Sequence, residues 1–161
     1  MNKTTIIHLS ILGSFLCALS SFAGPKVGDI SVMEGSVGRF GQKSLITTTQ
    51  KITAFDANRG VYTLEQSQVI ETQSRVHEIQ VTEAQMMTEE RAAEVVANCG
   101  QGSGKREIVI VRAGTFQTCR ANTGDGSTLW IAPVPFGVVK LQTKVPTGTL
   151  NLSLSSFSRG P

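Results

Sequence analysis

A chain of 161 residues with 40% hydrophobic content can bury one real core and is too short for two comfortable domains. A formal net charge of +3 argues against a polyanion partner. One Trp and one Tyr leave no aromatic platform for single-stranded nucleic acid.

The N-terminal stretch reads as a targeting segment. Met1-Asn2-Lys3 is a short positive start, and Ile6 to Leu19 is an apolar run broken only by His8, Ser10 and Ser14. Ser21-Phe22-Ala23 then supplies small residues before Gly24-Pro25. This is the layout of a secretory signal peptide over 1–23, and the run is short for a membrane span. Removing 23 of 161 residues leaves a single secreted β-domain of 138, Gly24–Pro161, with 14 Lys and Arg against 12 Asp and Glu. The expected location is the periplasm or the cell exterior. Two cysteines remain there, Cys99 and Cys119, and in an oxidising compartment they are most simply a disulfide. No CxxC or Cys/His cluster offers four metal ligands, and nothing in the sequence implies a cofactor.

From Gly24 the chain is polar and glycine-rich, and Val27, Ile30, Val32 and Val37 predict one or two irregular strands with bulges at the glycines. Ser44 to Phe55 is dense in β-branched residues and predicts a strand. Asp56-Ala57-Asn58-Arg59-Gly60 is a turn, because Asp and Asn bond their own backbone and Gly60 takes a positive φ. Val61 to Glu71 returns as the second arm of a hairpin, and Arg75 to Thr82 adds a third strand.

A helix is predicted over 88–98. Thr88 caps it, Glu89 and Glu90 complement its dipole, and Asn98 with Gly100 ends it. Ala92, Val95, Val96 and Cys99 share one face. Eleven residues make a marginal helix in water, so it must dock on the sheet. Ile108-Val109-Ile110-Val111 is apolar on both strand faces, which predicts a strand covered twice, by the core and by this helix. Thr115–Ala121 runs back carrying Cys119, so a Cys99–Cys119 bridge ties the helix end to the sheet. Asn122–Ser127 turns, Thr128–Ala132 is a strand ended by Pro133-Val134-Pro135, and Gly137–Thr143 resumes pairing. In the last strand Leu150, Leu152 and Leu154 face one way and Asn151, Ser153 and Ser155 the other. The fold expected is mainly β: an antiparallel, strongly twisted meander or half-barrel of about eight strands with one docked helix.

Arg112-Ala113-Gly114-Thr115-Phe116 with Cys119, then Trp130-Ile131-Ala132-Pro133 and Gly137-Val138-Val139-Lys140, resembles a pattern in secreted bacterial β-domains of the TapB-like family. That family takes its name from a type IV pilus-associated protein. The likeness covers Cys99 to Lys140. Arg112 stands where the family often has proline, and Val134-Pro135-Phe136 replaces a simpler glycine turn. The resemblance implies an antiparallel sheet wrapped around a helix in the envelope, with no catalytic residues to carry over.

Chemistry is sparse. His77 is the one histidine of the secreted part, on a strand face with Ile79 and Val81, and no residue is nominated as its partner. Gly100-Gln101-Gly102-Ser103-Gly104 follows a helix and opens a strand, the reverse of a phosphate cradle. No GxSxG elbow marks a serine hydrolase. Glu89, Glu90 and Glu94 read as solvated helix charges. Lys105, Arg106, Arg112 and Arg120 are either scattered surface charge or a seat for an anionic headgroup or glycan. Met86, Met87, Trp130 and Phe136 either fill the core or line an apolar cavity. The readings that follow are a non-catalytic envelope module binding an apolar or lipid-like ligand between helix and sheet, an accessory protein of a surface assembly such as a pilus, and, last, a small hydrolase. An eight-stranded outer-membrane barrel is disfavoured by the helix and the lack of aromatic girdles.

Overall fold

The computed structural model describes residues 24–39, 42–146 and 148–161. Residues 1–23, expected to be a signal peptide and including Cys17, lie outside the described residues. Nine antiparallel strands form one open sheet. In chain order they are β1 (Ile30–Arg39), β2 (Gln42–Asp56), β3 (Val61–Ile70), β4 (Gln73–Thr82), β5 (Lys105–Val111), β6 (Gly114–Asn122), β7 (Thr128–Ile131), β8 (Val138–Val145) and β9 (Gly148–Ser158). Helix α1 (Glu89–Ala97) follows a short 3₁₀ turn at Glu83–Gln85.

The sheet order is β4-β3-β2-β1-β9-β8-β7-β6-β5. Two meanders are therefore sewn together where the first strand pairs with the last, and the two sheet edges, β4 and β5, are consecutive in the chain. The 3₁₀ turn and α1 link one edge to the other. The expected mainly β architecture with one docked helix is the observed one, with nine strands in place of about eight.

The extra strand length lies in the glycine-rich start. One continuous ten-residue strand, β1, stands where irregular pieces were expected, and its bulge falls between Val32 and Met33 rather than at a glycine. Gly35 has a different task. A Cβ there would sit 1.8 Å from the carbonyl oxygen of Asn151, so only glycine lets β9 approach β1 this closely. At the β2–β3 turn Gly60 has φ +63°, and the Asp56 side chain accepts from the Asn58 and Arg59 amides, as the turn chemistry requires.

Two apolar clusters hold the domain. Ile52, Tyr62, Leu64 and Met86 form one, with Val81 and Phe136 against it. Ala132, Val134, Val139 and Leu154 form the other, flanked by Met33, Val109, Val111, Phe116 and Phe157. Ile52, Val134, Val139 and Leu154 are fully buried, each contributing about 1.5–3 kcal/mol of apolar burial. Leu152 and Leu154 are buried while their β9 neighbours are half-covered, which is the alternation read from the sequence.

Helix α1 begins as predicted. The Arg91 amide donates to Thr88 Oγ1 at 3.2 Å, and the Arg91 guanidinium satisfies the carbonyls of Glu83 and Met86 at 2.6 and 2.8 Å. Cys99 and Cys119 are bridged, with Cα atoms 5.6 Å apart. Glu89, at the helix start, is 9% exposed and is gripped by Arg159 through Nε at 2.8 Å and Nη2 at 3.0 Å. It is a clamp on the C-terminal segment rather than a solvated charge.

Strand β5 departs from expectation. Val109 and Val111 pack into the second cluster, but Ile108 and Ile110 are 70% and 79% exposed, so this strand is covered once and not twice. The cause is reach. Nine helical residues span about 14 Å, α1 lies against β6 and β7, and its last turn meets the start of β5, where Arg106 Nη2 donates to the Ala97 carbonyl at 2.7 Å and Val96 and Ala97 border a groove with Ile108.

Candidate functional site: a trough on the inner face of the sheet

The residues singled out as an apolar cavity lining are largely packed. Met86 is buried in the first cluster and Phe136 lies against it. Met87 joins them, together with Pro135 and Thr88, around a space of only about 10 Å³, which is at the lower limit for one water. Phe136 reaches this position with φ +63°, a conformation costly for a bulky side chain. Trp130 is elsewhere, in β7. Its indole N–H donates to Glu107 Oε2 at 2.8 Å, and Lys140 and Arg120 lie over its ring at 4.7 and 5.6 Å.

That Glu107 is the hub of the basic residues. Arg120 Nη1 is 3.3 Å and Lys105 Nζ 3.9 Å from its Oε1. The hydrogen bond from Trp130 and the charge of Arg120 hold its carboxyl below the usual carboxylate range. Arg112 pairs with Glu34 at 3.2 Å. Lys105 and Arg120 thus share Glu107, while Arg106 and Arg112 are bonded elsewhere, to the Ala97 carbonyl and to Glu34, so the four do not form one open cationic patch. Asp125 is lowered by hydrogen bonds from the Thr123 hydroxyl and the Ser127 amide, which close the β6–β7 turn. Burial raises the Tyr62 phenol.

The roomy site was not foreseen. A cavity of about 460 Å³ opens on the sheet face shared by both meanders, within the range of about 300–1,000 Å³ typical of small-molecule sites. Strand register shows how the sequence makes it. Side chains alternate faces with period two, so Ile46, Thr48, Gln50 and Ile52 share one face of β2, and Leu64, Gln66, Gln68 and Ile70 one face of β3. Cross-strand pairing then builds two rows, Met33–Thr48–Gln68–Arg75 and Ser31–Gln50–Gln66–His77. Both rows line the cavity. From the other meander comes a third row, Leu129–Leu141–Leu152, with Leu152 opposite Gly35. Thr49, Ser67 and Val138 complete the lining.

The trough is consequently two-natured. Its β7–β9 wall is leucine, with Leu152 buried and Leu129 and Leu141 half-buried. Its β2–β4 wall is amide, hydroxyl and base. His77 Nε2 stands 2.9 Å from Gln66 Oε1, so an amide and not a nucleophile or carboxylate holds the only histidine of the described residues. Arg75 and His77 are exposed on the edge strand β4. Among the described residues no group of three or more His, Cys, Asp or Glu side chains could hold a metal ion, and no helix is long and apolar enough to cross a membrane.

His77 was legible as a residue of interest with no partner. The partner, Gln66, lies eleven residues away across the β3–β4 hairpin. The signal that pointed to the trough was present in the pattern, in the adjacent inward polar positions of β2 and β3, but it needs the register to be read. What the fold and this site define is an open, curled antiparallel sheet carrying a helix and an amphipathic trough. No protein-family model, curated protein or solved structure matches the chain.

Proposed function

We propose that this chain is a non-catalytic protein of the cell envelope that binds an apolar or lipid-like ligand in the trough between its two meanders. The observation that carries the reading is the trough itself: about 460 Å³ of space with a leucine wall on one side and a polar wall on the other. An unfilled apolar wall forfeits the burial that holds the rest of the core, and a ligand restores it. The signal-like segment 1–23 and the Cys99–Cys119 disulfide support an oxidising compartment, the periplasm or the exterior. The amide partner of His77 supports binding over hydrolysis.

The test is native mass spectrometry on protein recovered from an oxidising envelope compartment. A mass excess that disappears on denaturation is expected, and its identification names the ligand. A bare monomer mass overturns the reading.

A second reading is favoured by one specific surface. Ile108 and Ile110 stand exposed on the edge strand β5, and Ile108 floors a groove of about 400 Å³ against Val96 and Ala97 of α1. An apolar sheet edge is a template for pairing with another chain. Together with the TapB-like resemblance, this supports an accessory role in a surface assembly. A stable complex with an envelope protein, abolished by Ile108→Thr/Ile110→Thr, is its expected signature.

A further inference from the structure

The trough's charges are one-sided. Arg75 and His77 are its only ionisable lining residues, and no carboxylate lines it. The carboxylates within the same two strands, Glu65 and Glu78, are cross-strand partners of each other at the alternate positions, so they belong to the opposite sheet face, and Glu71 in the turn between them accepts from the Ser44 hydroxyl at 2.7 Å. Arg75 makes no ion pair among the described residues, whereas Arg112, Arg120 and Arg159 each have a carboxylate. His77 is steered by Gln66, and Gln68, opposite Arg75, adds a further amide. Across the cavity the wall is Leu129, Leu141 and Leu152.

We infer that the ligand is an anionic single-chain amphiphile, with its acidic head against Arg75 and His77 on β4 and its chain along the leucine wall of β7–β9. The inference rests on the trough being the binding site proposed above. A planar guanidinium recognises a carboxylate or a phosphate monoester through paired N–H donors. The amides of Gln66 and Gln68 add neutral donors, so head and chain are read by different strands. A neutral amphiphile of the same chain length gains only the apolar half, and a cationic one meets like charge.

Isothermal titration with dodecanoate, dodecyl phosphate, dodecanol and dodecyltrimethylammonium, each below its micelle concentration, tests this on the whole chain and on Arg75→Gln. Arg75 is exposed on an edge strand, so the variant keeps the fold, which its thermal melt checks. Expected is binding of both anionic probes at least about tenfold tighter than dodecanol, as a charge-assisted contact supplies. Arg75→Gln should erase most of that preference while leaving dodecanol unchanged within twofold, and Arg75→Lys should restore part of it. Equal affinity for anionic and neutral probes, or an unchanged preference in Arg75→Gln, overturns the head-group assignment but leaves a general apolar site standing. No binding of any probe overturns the trough reading and this inference with it. Flotation with vesicles of phosphatidylglycerol separates the sources: binding to vesicles without titration by free amphiphile places the anion on a membrane surface and overturns a captured ligand.

Discussion

Breaking the Cys99–Cys119 bridge should cost this domain a large part of its stability, and the size follows from the topology. The two cysteines are 20 residues apart, and the intervening chain holds β5 and most of β6. On the chain-entropy model a loop of that length restricts the unfolded ensemble by about 3 kcal/mol. Unfolding entropy of about 2.1 cal/mol/K per residue, taken over the described residues, makes this a fall in Tm of about 10 °C. Because Cys119 is 3% exposed, truncating it adds a cavity cost of about 1 kcal/mol. The comparison is therefore threefold: oxidised wild type, wild type reduced with a phosphine, and Cys99→Ala/Cys119→Ala, each melted by circular dichroism. Reduction should lower Tm by about 10 °C, and the double variant should fall slightly further. In the denatured secreted part, Gly24–Pro161, which holds two of the three cysteines, no thiol should react before reduction and two after. A reduction shift under about 3 °C would show that the bridge closes no loop the unfolded chain explores, and the entropic reasoning would be refuted.

Two further perturbations test the sheet. Gly35→Ala drives a methyl into the Asn151 carbonyl, so β1 and β9 must separate. Overpacking against backbone costs about 1–3 kcal/mol or more, and a fall in Tm of about 3–10 °C is expected; a shift below about 1 °C would mean that the seam between the meanders yields freely. Glu107 supplies a pH dependence. Its folded pKa is depressed by Trp130 and Arg120, so its contribution is complete above the ordinary carboxylate value and is lost as pH falls through the lower folded value. The stability gap between wild type and Glu107→Gln should be constant near neutrality and close in acid, below about pH 4. The fluorescence of Trp130, the single Trp, reports it, and a gap that widens in acid contradicts the assignment.

The parts of the fold legible in the sequence were those set by neighbours in the chain. Thr88, Glu89 and Glu90 marked the helix start because capping is local chemistry. Asp56 and Gly60 marked the first turn for the same reason, and Leu150, Leu152 and Leu154 alternated because strand period is local. The helix stripe ending at Cys99 and the strand carrying Cys119 even gave the disulfide. Failure began where distance entered. Ile108 and Ile110 read as buried because hydrophobicity does not disclose that a nine-residue helix ends too soon to cover them. Met86, Met87 and Phe136 do converge, but around almost no free space, and no sequence signal separates filled from empty. Trp130 does not join them: its partner, Glu107, is fixed by the β5–β6–β7 register.

The trough belongs to this second kind, and the way it escaped notice bears on what it is. On the inner faces of β2 and β3 the order is apolar, polar, polar, apolar: Ile46, Thr48, Gln50, Ile52, and Leu64, Gln66, Gln68, Ile70. The flanking Ile46, Ile52 and Leu64 are buried at 4%, 1% and 4% exposure, so this face is a core face at both ends. Replacing its middle by apolar residues would let the sheet close on Leu129, Leu141 and Leu152 and add burial. The chain instead places Thr48, Gln50, Gln66 and Gln68 there and ends the two rows at Arg75 and His77. A stability-driven sequence keeps pattern, register and packing in agreement, and a local break between them is the mark of a position held for another purpose. Here the break is confined to one cavity, repeats at the same register level on adjacent strands, and faces an intact leucine wall. Those three features together are what a site for a molecule with one polar and one apolar end requires.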